Sequence, residues 1–225
     1  IPRNCIYNGM DLSEANNDRD TCDLVRRASE GDQVAFEQLF SRHHERLQRM
    51  VRLRLDRRIR GRVESADILQ EAYIDVFRNL PRYVESPSTS FFVWLRNLVG
   101  LKLAEVHRRH LATDKRNAAR DVSIYRGALP SVNSGSLAAQ LLGQLASPSQ
   151  TAMKTEMRVR LQEVLDCMHE IDREVIALRH FEQLDSQEVA DVLGMSKSGA
   201  SSRYIRAMQR LKEELAQFSE FRDLV

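Results

Sequence analysis

Apolar side chains recur at steps of three and four residues through most of this chain, and this spacing constrains the fold more than any other feature. Such spacing places one apolar stripe along each helix and leaves the opposite face polar. Residues that break helices are scarce in these stretches, because the 225 residues include only 9 Gly and 5 Pro. We therefore predict an all-α protein whose helices pack through their apolar stripes.

Four amphipathic segments predict a first domain at residues 21–111, arranged as a four-helix bundle. Gly31 can end the first helix, and Asp32 can cap the second. Pro81 is expected to end the third helix, and Ser90 can cap the fourth. The second helix and its exit are strongly basic, with arginines at 42, 46, 49, 52, 54, 57, 58, 60 and 62.

The segments on either side of this domain lack long apolar stripes. The chain does not begin with Met, and Met10 is a candidate natural start, so residues 1–20 are expected to be disordered. Residues 112–152 are enriched in Gly, Pro, Ser and Ala, which predicts a flexible linker to a second helical domain at residues 153–218. Leucines within the linker could form one short amphipathic turn: Leu137, Leu141, Leu142 and Leu145. At ~3.3 Å per residue the linker can reach ~130 Å, so we expect no fixed geometry between the domains.

A helix-turn-helix is indicated near the end of the second domain. Asp185 and Glu188 have the spacing of a capping box, Gly194 supplies a tight turn, and Ser196 can cap the following helix. That helix has no acidic residue before Glu213, so it suits phosphates and base edges in a DNA major groove. Its candidate DNA-binding residues are Lys197, Ser198, Ser201, Ser202, Arg203, Arg206 and Arg210. The alternative is a solvated cationic face on an ordinary helical hairpin.

Composition narrows the class of protein. The net charge is only +2, so the distribution of charge matters more than its sum. Cys5, Cys22 and Cys167 are odd in number and far apart, which argues against a disulfide framework and fits a reducing cytosol. No stretch has the ~18 apolar residues of a membrane span, and no signal-peptide pattern is present. A cytoplasmic protein is expected.

Several segments together resemble the ECF-type sigma factors of bacterial RNA polymerase. "AFEQLFSRHHERL", "ESADILQEAYIDVFRNLPRY" and "FFVWLRNLVGLKLAEVHRR" are similar in order and spacing to the second conserved region of that family. "MHEIDREVIALRHFEQLDSQEVADVLGMSKSGASSRYIRAMQRLKEEL" resembles the fourth region. The resemblance covers about residues 22–111 and 153–217. It implies a protein that binds core RNA polymerase and directs initiation at promoters, which it recognises and helps to melt.

The resemblance also implies roles for particular residues. A face around Asp67, Gln70 and Glu71 would dock on the clamp helices of the largest polymerase subunit. The minus-ten element would be read and opened by residues after the third helix and along the fourth: Tyr83, Asn97, Lys102, Arg108 and Arg109. The helix-turn-helix would read the minus-thirty-five element. Promoter DNA, both duplex and melted, is thus an expected partner, and the sequence leaves open whether an anti-sigma protein is another.

Each of these roles has a simpler structural or functional alternative. The acidic face could be an ordinary solvated helix surface, and Trp94 with one of Phe91 and Phe92 is expected in the core rather than on DNA. A helix-turn-helix regulator acting on duplex DNA without polymerase is the main functional alternative. The first domain argues against it, since it shows no ligand-pocket signature.

An enzyme is the other alternative. The histidine-containing clusters are His43-His44-Glu45 and the pair His107 and His110, and neither has a third metal ligand at suitable spacing. No phosphate-binding Gly loop and no nucleophile elbow is present. We therefore predict no catalytic residue, no metal site and no cofactor.

Overall fold

The computed structural model describes residues 12–111, 129–145 and 151–218, and every regular element in these ranges is helical. The all-α prediction is confirmed. In chain order the α-helices are α1 Leu12–Ser29, α2 Gln33–Arg54, α3 Ser65–Glu85, α4 Phe91–Leu111, α5 Ser134–Leu145, α6 Thr151–Cys167, α7 Glu170–Ile176, α8 Ser186–Leu193 and α9 Lys197–Leu215. A π-helical segment, Ala177–Phe181, lies between α7 and α8.

Helices α1 to α4 form the first domain around the predicted stripes. Phe36, Leu39 and Leu47 of α2 are fully buried. Asp32 caps α2 as predicted, because its side chain accepts a hydrogen bond from the Ala35 amide. Gly31 has a φ of +98°, a left-handed conformation that glycine adopts without strain, at the turn between α1 and α2.

Two predicted boundaries of this domain are wrong. Residues 1–20 were expected to be disordered, but α1 begins at Leu12, since no Gly or Pro interrupts the chain from there to Ser29; residues 1–11 lie outside the described ranges. Pro81 was expected to end α3, but the helix continues to Glu85 with Pro81 inside it. The extra turn is held by Tyr83, whose hydroxyl donates to the Thr89 carbonyl oxygen at 3.0 Å.

Part of the predicted linker belongs to the second core. Residues 134–145 form the twelve-residue helix α5 rather than a single turn, because Leu137 and Leu141 bury one face of it against Leu161 and Leu165 of α6. The Asn133 amide also donates to the Leu53 carbonyl oxygen of α2 at 3.0 Å. Residues 112–128 and 146–150 of the linker lie outside the described ranges.

The helix-turn-helix has the predicted local geometry. Asp185 and Glu188 form the capping box of α8, and Gly194 ends that helix with a φ of 65°. The Ser196 hydroxyl caps α9 by accepting from the Gly199 amide at 3.1 Å. Gly199 therefore lies in the first turn of α9, not in its interior, where glycine would weaken a helix.

The two domains are packed against each other, in contrast to the loose tether that the linker suggested. Val175, Leu178, Leu184 and Val189 of the second domain lie in the same buried apolar cluster as the core of the first. The geometry between the domains is therefore fixed in this structure by side-chain packing and not by the length of the chain that joins them.

Candidate nucleic-acid interface

The outer face of α9 is polar and open. Lys197, Ser198, Ser202, Arg206 and Arg210 are all exposed along it. Within the described ranges, no carboxylate forms an ion pair with any of these three cations. Because the cations are not neutralised inside the protein, they can replace the counterions of a phosphate backbone.

Two other predicted residues of α9 face inward. The Arg203 Nε lies 3.1 Å from the Asp172 Oδ1 of α7, and both side chains are largely covered. The Ser201 hydroxyl donates to the Ser186 Oγ of α8 at 2.9 Å. These contacts fix α9 against the helices behind it, so Arg203 and Ser201 hold α9 in place in this structure. Sequence reasoning missed the contacts because both partners lie on other helices.

The residues predicted for the minus-ten element fall into two groups. Asn97 and Arg108 are exposed on α4. Tyr83 is half-buried, and its ring stacks on Trp94 with 4.6 Å between centroids. Trp94 and one of Phe91 and Phe92 were expected in the core. Phe91 and Phe92 are both buried, and Trp94 is partly buried against the same core.

Lys102 and Arg109 take part in a network of ion pairs with α3. The Lys102 Nζ lies 2.8 Å from the Asp75 Oδ2 and 3.0 Å from the Glu105 Oε2. Hydrogen bonds to Asp75 and then Glu105 raise the pKa of Lys102. Arg109 pairs with Glu105 at 2.8 Å and with Glu71 at 3.7 Å. The predicted DNA-binding and polymerase-binding residues therefore meet at one edge of the domain.

The predicted docking residues are exposed at the start of α3. The Asp67 carboxylate accepts from the Glu64 amide at 3.1 Å and so forms part of the capping box of that helix. Gln70 and Glu71 are exposed beside it, and Ile74 on the same side of α3 is 52% exposed. An apolar residue flanked by carboxylates and an amide is suited to a partner helix with basic side chains.

A cluster of four charged residues, which sequence reasoning missed, joins the two domains. We call Arg54 of α2, Arg96 of α4, Glu174 of α7 and Glu182 the interdomain cluster. The Arg96 Nε lies 2.6 Å from the Glu182 Oε2, and its Nη2 lies 3.2 Å from the Glu174 Oε1. Arg54 forms ion pairs with both carboxylates. The side chains of Arg54, Arg96 and Glu182 are completely buried.

Glu182 and Arg54 both stay charged in this cluster. Burial opposes the ionisation of Glu182, but the nearby guanidinium groups of Arg54 and Arg96 outweigh it and lower the pKa of the carboxyl. Burial likewise acts against the charge on Arg54, while Glu174 and Glu182 raise its pKa. Charges removed from water are tolerated only when paired in this way.

Arg46 extends the contact between the domains. Its Nε donates to the Glu182 carbonyl oxygen at 2.8 Å, and its Nη2 donates to the Gln183 carbonyl oxygen at 3.0 Å. Its guanidinium carbon also lies 3.6 Å from the centre of the Phe92 ring. At the rim, the Ser90 hydroxyl donates to the Glu188 Oε1 of α8 at 2.7 Å. The start of α4 therefore touches the first helix of the helix-turn-helix.

The histidine clusters considered in the sequence do not form a metal site in the described ranges. Within the described ranges, no three His, Cys, Asp or Glu side chains lie close enough to hold a metal ion. His43 is buried against Phe91 and Phe92, and His107 accepts from the Asp56 amide through its Nε2 at 3.3 Å. Burial, helped by Arg46 and Arg42, lowers the pKa of His43 to about 4, so this histidine is neutral in the core.

Comparisons with known proteins agree with these features. A sequence profile described as "ECF sigma factor" matches residues 18–217. The RNA polymerase sigma factor CarQ from Myxococcus xanthus is 26% identical over 193 residues, which cover 86% of this chain and 96% of CarQ. The ECF RNA polymerase sigma factor SigD from Mycobacterium bovis is 25% identical over 198 residues, covering 88% of this chain and 85% of SigD.

Comparison with solved structures supports the same fold. CnrH, determined in complex with the cytosolic domain of CnrY, superimposes with a TM-score of 0.53 at 22% sequence identity. The match covers 89% of this chain and 99% of the CnrH chain. The likeness therefore extends over both helical domains.

Proposed function

The chain belongs to the ECF sigma factor family, and we propose that its two domains divide promoter recognition between them. As a sigma factor it binds core RNA polymerase and directs transcription initiation at promoters. The second domain reads the minus-thirty-five element through α9. The first domain docks on the polymerase and reads the minus-ten element.

The exposed cationic face of α9 is the observation that carries this proposal. A recognition helix lies in the major groove with its N-terminal residues at the base edges. Lys197 and Ser198 occupy the first turn of α9, and Arg206 and Arg210 follow on the open side. The serine hydroxyls suit base edges and the arginines suit phosphates or guanine.

In the first domain, Asn97 and Arg108 are the residues that can reach DNA without further change, since both are exposed on α4. Lys102 and Arg109 would first leave their carboxylate partners. Docking of Glu71 on a basic polymerase helix would remove one of the two partners of Arg109. Binding to polymerase thus favours the release of this arginine toward DNA.

This activity needs no catalytic residue, metal or cofactor in the chain, and we infer that the protein works in the cytoplasm with the polymerase. None of the helices in the described part of the chain has the length and apolar character needed to cross a bilayer.

Run-off transcription with purified core polymerase on a genomic promoter library tests the proposal. The wild-type chain should yield discrete transcripts, and Arg206→Ala combined with Arg210→Ala should lose them while still binding core polymerase. The matched control is Arg160→Ala, an exposed arginine of α6 that pairs with Glu163 and is not among the residues predicted to bind DNA. Transcripts that persist in the double variant would remove α9 from the promoter contact. Tight, specific binding of duplex DNA without polymerase would instead favour the regulator alternative.

A further inference from the structure

We propose that the interdomain cluster is a latch that holds the free chain closed, and that promoter recognition requires the latch to open. Both carboxylates come from the second domain and both guanidinium groups from the first. The contact therefore exists only while the two domains are packed together. The proposal goes beyond the proposed function but rests on it where it concerns promoter recognition.

The backbone around Glu182 is shaped for this contact. Glu182 follows directly on the π-helical segment, a form that is rare in proteins and is often found at functional sites. Gln183 has a φ of 56°, a left-handed conformation that is unfavourable for a residue other than glycine. Arg46 binds the carbonyl oxygens of both residues. An irregular backbone is thus held in place by a side chain from the other domain.

The closed arrangement does not allow both promoter elements to be read at once. Elements centred near positions minus ten and minus thirty-five lie roughly 25 base pairs apart, or about 85 Å along the duplex at ~3.4 Å per base pair. In the structure, Ser90 at the start of α4 is hydrogen-bonded to Glu188 of the helix-turn-helix at 2.7 Å. The domains must therefore separate before α4 and α9 can reach their two elements.

The contact between the domains has an apolar part, which includes Val175, Leu178 and Val189, and a charged part, the interdomain cluster. The charged part suits a contact that has to open, because separated arginines and glutamates are solvated by water, whereas separated apolar side chains are left exposed. Opening also uncovers Arg96 on α4, the helix proposed to read DNA, together with Arg46 and Arg54 of α2. Phosphate groups bind guanidinium in the same bidentate manner as carboxylates. Phosphate groups of DNA can thus bind these arginines once Glu174 and Glu182 have separated from them.

Fluorescence energy transfer between the domains tests the latch directly. Cys22 of α1 and Cys167 of α6 are exposed and serve as dye positions after Cys5→Ser. The free chain should give one narrow, short inter-dye distance. Glu182→Lys, which places a third cation among the arginines, should raise the fraction of molecules with a long distance at least about tenfold. Core polymerase with promoter DNA should shift the parent chain in the same direction.

Two further variants make the result decisive. Glu182→Gln keeps the shape of the side chain and removes its charge, so it carries the test if Glu182→Lys does not fold, as judged by circular dichroism. Glu163→Gln makes the same change at an exposed position of α6 and should leave the distance unchanged. A folded Glu182→Gln chain with the short distance of the parent would overturn the latch. So would a broad, long distance in the parent chain itself.

A reversible cross-link connects the latch to transcription. Ser90→Cys and Glu188→Cys, in a chain whose three native cysteines are replaced by serine, can be joined by a bis-maleimide with a cleavable disulfide. The joined chain should lose promoter-directed transcription, and reductive cleavage of the linker should restore it. Equal transcription before and after cleavage would show that opening is not required. Because the dye distance is measured without polymerase, it reports on the latch even if the proposed promoter contacts fail.

Discussion

Two pairs of arginines in this molecule occupy opposite environments. Arg54 and Arg96 are completely buried between the domains, and each contacts two carboxylates. Arg206 and Arg210 lie on the open face of α9 and form no ion pair with the described residues. The first pair contributes to the packing of the chain on itself, and the second pair is available to a phosphate backbone. A basic residue in a DNA-binding protein is therefore informative only once its intramolecular partners are known.

The largest difference between the pairs should appear in stability. Glu182→Ala leaves two buried guanidinium groups short of a partner, and we expect the free energy of unfolding in urea to fall by about 3–5 kcal/mol. Arg206→Ala removes an exposed side chain and should change it by less than about 0.5 kcal/mol. If the two variants lowered the free energy of unfolding by similar amounts, the interdomain contact would have to open freely in solution.

The buried core of the first domain beside Arg46 should make stability depend on pH more than the α9 face does. His43 lies beside Arg46 and the aromatic residues Phe91 and Phe92, and its pKa is about 4, against 6.5 when unfolded. His43 is therefore protonated below about pH 6.5 in the unfolded chain, but only below about pH 4 in the folded chain. The free energy of unfolding is unaffected by this group above pH 6.5 and falls by about 3 kcal/mol in total as pH decreases through the window.

The measurement for His43 is the unfolding free energy as a function of pH. His43→Gln should flatten the slope between pH 6.5 and 4, whereas His110→Gln, a change at the end of α4, should keep the slope of the parent chain. Equal slopes in all three chains would assign the acid sensitivity to other groups.

The sequence contained part of this contrast. Arg54 and Arg96 continue the apolar stripes of their helices, three or four residues from Val51, Phe92 and Val99, all of which are buried. An arginine at a stripe position signals a buried ion pair, and that signal was available. The identity of the carboxylates that pair with these arginines could not be predicted, because Glu174 and Glu182 are far away in the chain. Side-chain periodicity carries no information on contacts between domains. The α9 face, in contrast, follows from local spacing alone.

Element boundaries show the same limit. Capping residues such as Asp32, Asp185 and Ser196 were predicted from their neighbours, since a cap depends on atoms within one turn. The continuation of α3 past Pro81 depends on the contact of Tyr83 with Trp94, and helix α5 depends on packing against α6. Tertiary contacts decided both cases against the local signal.

For the exposed pair, Arg206 and Arg210, we expect substitutions to lower the affinity for promoter DNA and not the stability of the fold. Arg206→Ala should weaken the complex of polymerase holoenzyme with promoter DNA by about 1–3 kcal/mol if it reads a base. If it contacts a phosphate instead, binding should weaken about equally on all promoters, and the dependence of log K on log salt should decrease by about one unit. Filter binding at several salt concentrations separates the two, with Arg160→Ala as the control. An unchanged affinity and salt slope would place Arg206 outside the interface.

Arg203 combines features of both pairs and should give the smallest effect. It lies on α9, as Arg206 does, but its guanidinium is paired with Asp172, with 32% of the arginine side chain exposed. A partly exposed ion pair of this kind contributes about 0–1 kcal/mol, so Arg203→Ala and Asp172→Asn should lower the unfolding free energy by similar small amounts. The double variant should lose no more than either single one, because each change breaks the same contact. DNA binding distinguishes a structural arginine from a reading one: Asp172→Asn frees Arg203, and an increase in promoter affinity would show that it belongs with Arg206 and Arg210 after all.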